Sequence, residues 1–233
     1  MVAIRNYPGE LAHCASLRVE KHITSRPTIA GVETVLGLRE RKKIATKLAL
    51  HEAAMRLSVA HGYDTVTVEA IADAAGVSRR TFSNYFASKE EAMLHGDGMR
   101  LYSLLDAVAA RPEDESVWTA LREGANTVLR DLQRRRPRRD FPDWLTQARV
   151  IRSHPALVAE QVATYASFER TLAVEIDRRL PPESRSATHA RVLAACFLAA
   201  VRVGTQAWLD HNGTAPVWEF IEQALLEGGR AFP

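Results

Sequence analysis

The stretch GVSRRTFSNYFASKE, residues 76–90, sets a glycine, a serine and two adjacent arginines immediately before Phe82, Tyr85 and Phe86. Arginine reads guanine bidentately through O6 and N7, and asparagine reads adenine through N6 and N7. Arg79, Arg80 and Asn84 therefore carry the chemistry of base recognition, provided one element holds them outward while the aromatics face in. On a helical wheel at about 100° per residue, Phe82 and Phe86 fall together and Tyr85 lies to one side. Arg80 and Asn84 fall roughly opposite, with Thr81 and Ser83 on the flanks. The first turn of such a helix already favours an anion, because its N–H groups lack partners within the helix. A helix end of this kind suits a DNA major groove, while Tyr85 and Lys89 are expected at backbone phosphates, which position a reader without carrying sequence information.

The elements that must hold these residues are also legible. A first helix is predicted from about Arg39 to His61, with Leu50, Ala53, Ala54 and Leu57 on one face and Gly62 as its stop. Asp64 to Thr67 caps a short second helix, Val68 to Ala75, whose Val68, Ile71, Ala72 and Ala75 follow the helical period. Gly76 ends it, Ser78 caps the third helix, and Ser88 with Glu91 reads as a capping box for a fourth that continues to about Arg111. Two short helices joined by Gly76, Val77 and Ser78 form a helix-turn-helix. Further helices are expected over 114–135, 141–152, 155–180, 183–211 and 216–228, broken by prolines and by Asn212 with Gly213. The fold class is all-α: a three-helix domain over 38–87, then a larger helical domain over 88–233. Residues 1–37, with Pro8, Gly9, Pro27, Gly31 and Gly37 and no sustained period, read as a disordered leader.

Composition narrows the function classes. The net charge of +3 permits a nucleic-acid partner without establishing one. Its distribution says more: cations gather at Arg39, Arg41, Lys42, Lys43 and Lys47, again at Arg79 and Arg80, and at Lys89. That pattern suggests a polyanion touched at several points and places Lys43 in the DNA-contact set. Cys14 and Cys196 lie far apart with no zinc-like spacing, so neither a disulfide framework nor a metal is expected. No apolar run is expected to cross a bilayer and no secretory core precedes residue 38, so the expected location is the cytoplasm, with no membrane partner. His51, His154, His189 and His211 show no paired metal spacing and read as packing residues. No catalytic constellation or cofactor motif stands out, so a helical enzyme is disfavoured. A protein-binding adaptor would share the helices but would not need Arg80 and Asn84 outward.

The run AAMRLSVAHGYDTVTVEAIADAAGVSRRTFSNYFASKEEAM, Ala53 to Met93, resembles the TetR-type transcriptional regulators. The resemblance implies a DNA-binding domain, a long linking helix, and a homodimer that binds a palindromic operator. It also implies a small-molecule effector that releases the DNA. Carried onto matching positions, it implies phosphate contacts at Thr67, Tyr85 and Lys89, and a reading face of Arg79, Arg80, Thr81, Ser83 and Asn84. Ser83 stands where many members carry an aromatic, and Leu57-Ser58 where the first helix usually ends in Leu-Phe. The latter lightens the core of the small domain.

In the larger domain HARVLAACFLAAVRVGTQAWLDHNG is apolar on more than one face and suggests a dimer interface. With PVWEFIEQALLEGG it resembles the pair that forms a four-helix bundle across the family's two-fold axis. Effector pockets between helices are apolar with few polar groups. The candidates are Tyr102, Trp118, Leu121, Trp144, Leu145, Tyr165 and Phe168, with Gln147 or Arg149 as polar contacts, although core packing is the commoner reading of each, since an aromatic at helical spacing normally just packs. The run from HPALVAEQVATYASFERTLAVEIDRRL to Trp208 resembles the mycofactocin-type regulators, which implies an acyl-CoA or other lipid-like ligand. Arg134 to Arg139, interrupted by Pro137, reads as an exposed helix end.

Overall fold

The computed structural model describes residues 37–134 and 141–230. All of the expected leader but Gly37, and most of the 134–139 arginine run, lie outside the described residues. Nine α-helices and no strand occur among the described residues: α1 Leu38–His61, α2 Val68–Ala74, α3 Arg79–Tyr85, α4 Lys89–Ala109, α5 Val117–Arg134, α6 Trp144–Ser153, α7 Pro155–Arg179, α8 Ala187–Asp210 and α9 Val217–Gly229. The chain divides between Met1–Lys42 and Lys43–Pro233. Of the first unit only the opening turn of α1 is described, where the Glu40 and Arg41 amides donate to the Gly37 carbonyl at 3.0 and 3.1 Å.

Local side chains set most helix starts in the second unit. Thr67, Ser78, Ser88, Asp143 and Ser186 each accept a hydrogen bond from the amide three residues on, satisfying one of the donors a helix start leaves bare. These caps correct three expected boundaries. The Ser116 hydroxyl accepts from the Thr119 amide at 3.2 Å, so α5 begins at Val117 rather than near Asp114. Asp143 moves the start of α6 to Trp144, and Ser186 moves that of α8 to Ala187, with Pro182–Ser184 left as a separate 3-10 turn.

The turn between α2 and α3 is a Schellman motif. The Val77 amide donates to the Ala72 carbonyl at 2.9 Å and the Gly76 amide to Asp73 at 3.0 Å, with Gly76 at φ +69°. Val77 thereby packs back on the small head that α1, α2, α3 and the start of α4 enclose. Leu50, Ala53, Met55, Ile71, Phe82 and Met93 form its buried centre, and burying one side chain such as Phe82 stabilises it by roughly 1.5–3 kcal/mol. Ser58, where a larger residue was expected to be missed, is buried and donates to Met93 Sδ at 3.5 Å.

The second core lies among α4, α5, α7, α8 and α9, around Val108, Leu121, Leu172, Phe197 and Leu225. Two devices pin it. The Arg179 side chain is almost fully buried and donates to the carbonyls of Val108 at 2.8 Å, Arg111 at 2.6 Å and Pro112 at 3.0 Å, so α7 caps the end of α4. At Gly204 α8 meets α9 so closely that a Cβ would stand 2.6 Å from the Ile221 Cα. The 24-residue α8 is long and apolar enough to cross a bilayer by length and composition, which corrects the expectation that no run would be; a third of its most apolar window is buried.

Candidate nucleic-acid interface and ligand cavity

α3 is held by its apolar side. Phe82 and Phe86 are 1% and 4% exposed, their rings 5.9 Å apart, and Phe86 meets the His95 ring edge-on at 5.3 Å. Burial of these two rings fixes the rotation of the helix, and that rotation leaves Arg79, Arg80, Ser83 and Asn84 exposed and Thr81 and Tyr85 half-buried. Arg80, Ser83 and Asn84 have no side-chain partner among the described residues, so their donors and acceptors are available to a ligand. Arg79 differs: its Nε stands 3.0 Å from Glu69 Oε1, an exposed pair across the turn. Thr81 Oγ1 shares a 2.9 Å hydrogen bond with Ser78 Oγ. Thr67, exposed at the start of α2, uses its hydroxyl oxygen to accept from the Ala70 amide at 3.1 Å. Lys43 is half-buried.

Lys89 departs from its expected place. Its ammonium lies over the Tyr63 ring at 4.1 Å and donates to the carbonyls of Tyr63 at 2.9 Å and Val66 at 3.0 Å. The Tyr63 carbonyl also accepts from the Val66 amide at 3.3 Å, and the cation gives the Val66 carbonyl its donor, leaving one N–H of three for any phosphate. The Tyr63 hydroxyl donates to Glu90, the next residue of α4. The fourth helix is thus clamped to the head by its first turn. Glu91 completes the capping box one residue earlier than expected, accepting from the Ala87 amide at 2.6 Å.

A second joint lies one turn along α4. His51 of α1 is 4% exposed, its Nδ1 3.0 Å from the Ala92 carbonyl. Its ring meets His95 at 6.1 Å and Phe141 at 5.7 Å. Burial lowers the His51 pKa below its ordinary value. It lowers that of His95 to about 4, with nearby His51 and Lys47 acting in the same direction. Sequence reading took His51 for packing but missed the pair, whose only signal was a histidine on the apolar face of each of two helices.

A cavity of about 430 Å³ opens among α4 to α9. Leu101, Leu104, Leu129, Ala148, Leu198 and Ile221 give it apolar walls. Its polar groups gather at α4: Asp97 pairs with Arg100, Gln161 donates to Asp97 Oδ2 at 2.6 Å, and the Arg100 guanidinium stacks 5.3 Å from the Trp144 ring. Burial, with Asp97 nearby, pushes the Tyr165 phenol well above its ordinary value and keeps it a neutral donor. Arg152, on the cavity wall, donates to the Gln206 amide oxygen.

Of the expected effector residues, the cavity gathers Trp144 and Tyr165. The others are placed elsewhere by packing. Trp118 Nε1 donates to the Leu225 carbonyl at 3.0 Å and its ring packs on Phe197, Leu121 is fully buried in the core, and Phe168 packs there against Tyr102. Leu145 covers Gly213, Gln147 donates to the Pro142 carbonyl at 2.7 Å, and Arg149 reaches Asn212 Oδ1 at 3.1 Å. The missed wall was readable in one respect: Asp97, Arg100, Leu101 and Leu104 share one face of α4, and charges on an inward face mark a cavity rather than a core.

Residues 50–94 match the family model described as bacterial regulatory proteins, tetR family, and residues 115–231 match the MftR C-terminal domain. Among curated proteins, the HTH-type transcriptional regulator TcmR of Streptomyces glaucescens is 31% identical over 188 residues, which is 79% of this chain and 82% of that protein. A protein of Mycobacterium tuberculosis described as a mycofactocin biosynthesis transcriptional regulator, MftR, is 32% identical over 143 residues, 60% of this chain and 68% of that protein. A solved TetR family transcription regulator from Marinobacter aquaeolei is 19% identical, with a TM-score of 0.38 over 80% of this chain and 98% of that one, a likeness too slight to add to the family match.

Proposed function

This chain belongs to the TetR family of bacterial transcriptional regulators, and from that premise we propose that it is a ligand-responsive repressor which binds a palindromic operator as a homodimer. The observation that carries the reading is the division of α3 into a buried side, Phe82 and Phe86, and an exposed side, Arg80, Ser83 and Asn84. A helix anchored in this way enters a major groove with its first turn leading. Arg80 and Asn84 read base edges, and Thr67, Tyr85 and Lys43 meet phosphates. The domains act as 38–87 for DNA and 88–233 for effector and dimer contacts, and the protein carries out no catalysis.

The effector sits in the cavity beside Trp144, Tyr165, Arg100 and Asp97. The walls suit a molecule with an apolar body and a small number of polar groups, in keeping with a lipid-like or acyl ligand. Coupling is supported by a shared wall: Ile151 lines the cavity and also packs in the core of the head together with Leu157. The His154 ring, at the corner between α6 and α7, lies 4.5 Å from Tyr63. A ligand that moves α6 or the Asp97 segment of α4 therefore moves the elements on which α3 is mounted, and a coupling of about 1–3 kcal/mol suffices for regulation.

The test is a mobility shift on the DNA upstream of the gene. Binding is expected to weaken steeply with salt, and Arg80→Ala to weaken the cognate palindrome by about 1–3 kcal/mol while changing random duplex less. Equal loss on both duplexes assigns Arg80 to phosphate instead. Binding to no duplex at all sinks the reading.

A further inference from the structure

The charges that line the cavity are gathered rather than scattered. Asp97 and Arg100 of α4, Arg152 of α6, and Gln161 and Tyr165 of α7 all line it. Burial raises the Tyr165 pKa, and the phenol is close enough to Asp97, Arg100 and Arg152 to feel the charge of all three, so these groups surround one polar end. Trp144 bounds the same end, because the Arg100 guanidinium stacks on its ring. The rest of the lining is largely apolar, with Leu104, Leu129, Leu132, Leu198 and Ile221 as its bulk.

Donors outnumber acceptors at the polar end. Both oxygens of Asp97 are occupied, Oδ1 by Arg100 and Oδ2 by Gln161 at 2.6 Å. Among the described residues Arg100 spends a single N–H on that bond and Arg152 a single N–H on Gln206, so each guanidinium keeps several donors free. The Tyr165 hydroxyl has no partner among the described residues and, held neutral by burial, is a further donor. The charges are unequal too: two guanidiniums face one carboxylate. Glu169 and Arg202 also line the cavity, but their opposite signs leave that balance as it is. An excess of partly buried cations favours an anion that supplies the missing acceptors, and a carboxylate matches the guanidinium fork. One negative charge makes the end neutral. A dianion overshoots, a cation adds to the excess, and an ester or thioester carbonyl brings an acceptor without the charge.

We propose that the ligand is a monoanionic organic acid with an apolar body, its carboxylate held by Arg100 and Arg152 beside the Tyr165 hydroxyl. The inference rests on the reading of the cavity as the effector site and narrows it, since a neutral lipid or an acyl thioester fills the same apolar walls without matching the charge of this end. Held there, the carboxylate joins α4 to α6, two elements that also reach the core of the head through Leu94 and Ile151.

Two measurements test it. The first needs no ligand. In the full chain with Cys14→Ser and Cys196→Ser, Ala148→Cys sets a thiol on the cavity wall, one turn of α6 from both Trp144 and Arg152. Its rate with the anion iodoacetate is divided by its rate with neutral iodoacetamide, and the urea-unfolded protein gives the reference ratio. The folded ratio is expected to exceed the reference by at least about fivefold, and Arg152→Gln to bring it back toward the reference. A folded ratio no higher than the reference, or one that Arg152→Gln leaves unchanged, overturns the proposal. The second compares a fluorescent fatty acid, parinaric acid, with its methyl ester at neutral pH, where the acid is ionised, and counts only the binding that the cavity-filling Leu104→Trp or Ala148→Phe removes. The acid is expected to bind at least about tenfold tighter than the ester, and Arg100→Gln or Arg152→Gln to weaken the acid at least about fivefold with the ester little changed. Equal affinity for the two, or equal loss of both, overturns the proposal. Probe binding that neither filler affects sinks the effector reading instead, while the thiol ratio still judges the charge of the site.

Discussion

Arg79 and Arg80 are neighbours in sequence and differ in surroundings. The first meets Glu69 across the turn and the second has no partner among the described residues, so they divide the work. An exposed pair of this kind contributes about 0–1 kcal/mol, and it holds a carboxylate beside the surface that faces a polyanion. Glu69→Gln is therefore expected to leave thermal stability within about 0.5 kcal/mol and to tighten duplex binding with a steeper salt dependence in a mobility-shift titration. Lys89 gives the opposite result. Lys89→Met strands the Val66 carbonyl, leaves that of Tyr63 with the Val66 amide alone, and is expected to lower stability by about 1–3 kcal/mol in urea, with little change in base preference among the duplexes bound. The buried histidines set the acid limit. Both have lowered pKa values in the fold, so the unfolded chain takes up protons first as pH falls below the ordinary 6.5. Their contribution is complete above that value and is lost as pH drops through the His95 value of about 4. The unfolding free energy from urea titrations should fall between pH 6.5 and 4, by at most about 1.4 kcal/mol per pH unit per histidine, and His95→Gln should flatten the curve.

At the scale of elements, short helices depend on their ends. α3 spans only Arg79–Tyr85, too short to persist alone, and is held by the Ser78 cap, the Schellman turn and two buried rings. Gly76 has φ +69° and open space where a Cβ would go, so Gly76→Ala meets backbone strain without a clash. It is expected to cost about 1–2 kcal/mol by chemical unfolding and to weaken DNA binding through the orientation of α3. At Gly204 the limit is steric rather than torsional. The Phe220 carbonyl oxygen lies 2.7 Å from the built Cβ and the Ile221 Cα nearer still, all of it backbone that cannot swing aside. Gly204→Ala must push α9 from α8, at about 1–3 kcal/mol of stability, and should loosen the dimer in sedimentation experiments.

In the molecule as a whole, the head and the larger domain share buried groups. Ile151 is 5% exposed, packs in the head core and lines the cavity, so a change there is felt on both sides. Ile151→Ala is expected to cost about 2–5 kcal/mol of stability and to reduce the effect of parinaric acid on operator release more than its effect on probe binding. Loss of both in equal measure would make Ile151 a wall residue alone. α8 acts at the same scale. Its apolar length would suit a bilayer, yet α9 already packs against one side of it at Gly204.

The helix-turn-helix was legible in the sequence because its determinants are local: a glycine for one left-handed residue, hydroxyl caps, and aromatics four residues apart that fix which side of a seven-residue helix faces in. The family resemblance rests on the same residues, and the family match extends beyond them through 115–231. The cavity was largely illegible for the converse reason. Aromatics such as Trp118 and Phe168 have the composition of a pocket and the spacing of a core, and only the packing of six helices decided that they fill space while Asp97, Arg100 and Leu104 surround it. Lys89 shows the same limit at one residue: its charge and position were plain, but the direction of its ammonium was set by two carbonyls more than twenty residues earlier in the chain. Sequence determined what each helix is and which face it buries; tertiary structure decided what that face meets, because contacts between distant segments are set by their joint packing.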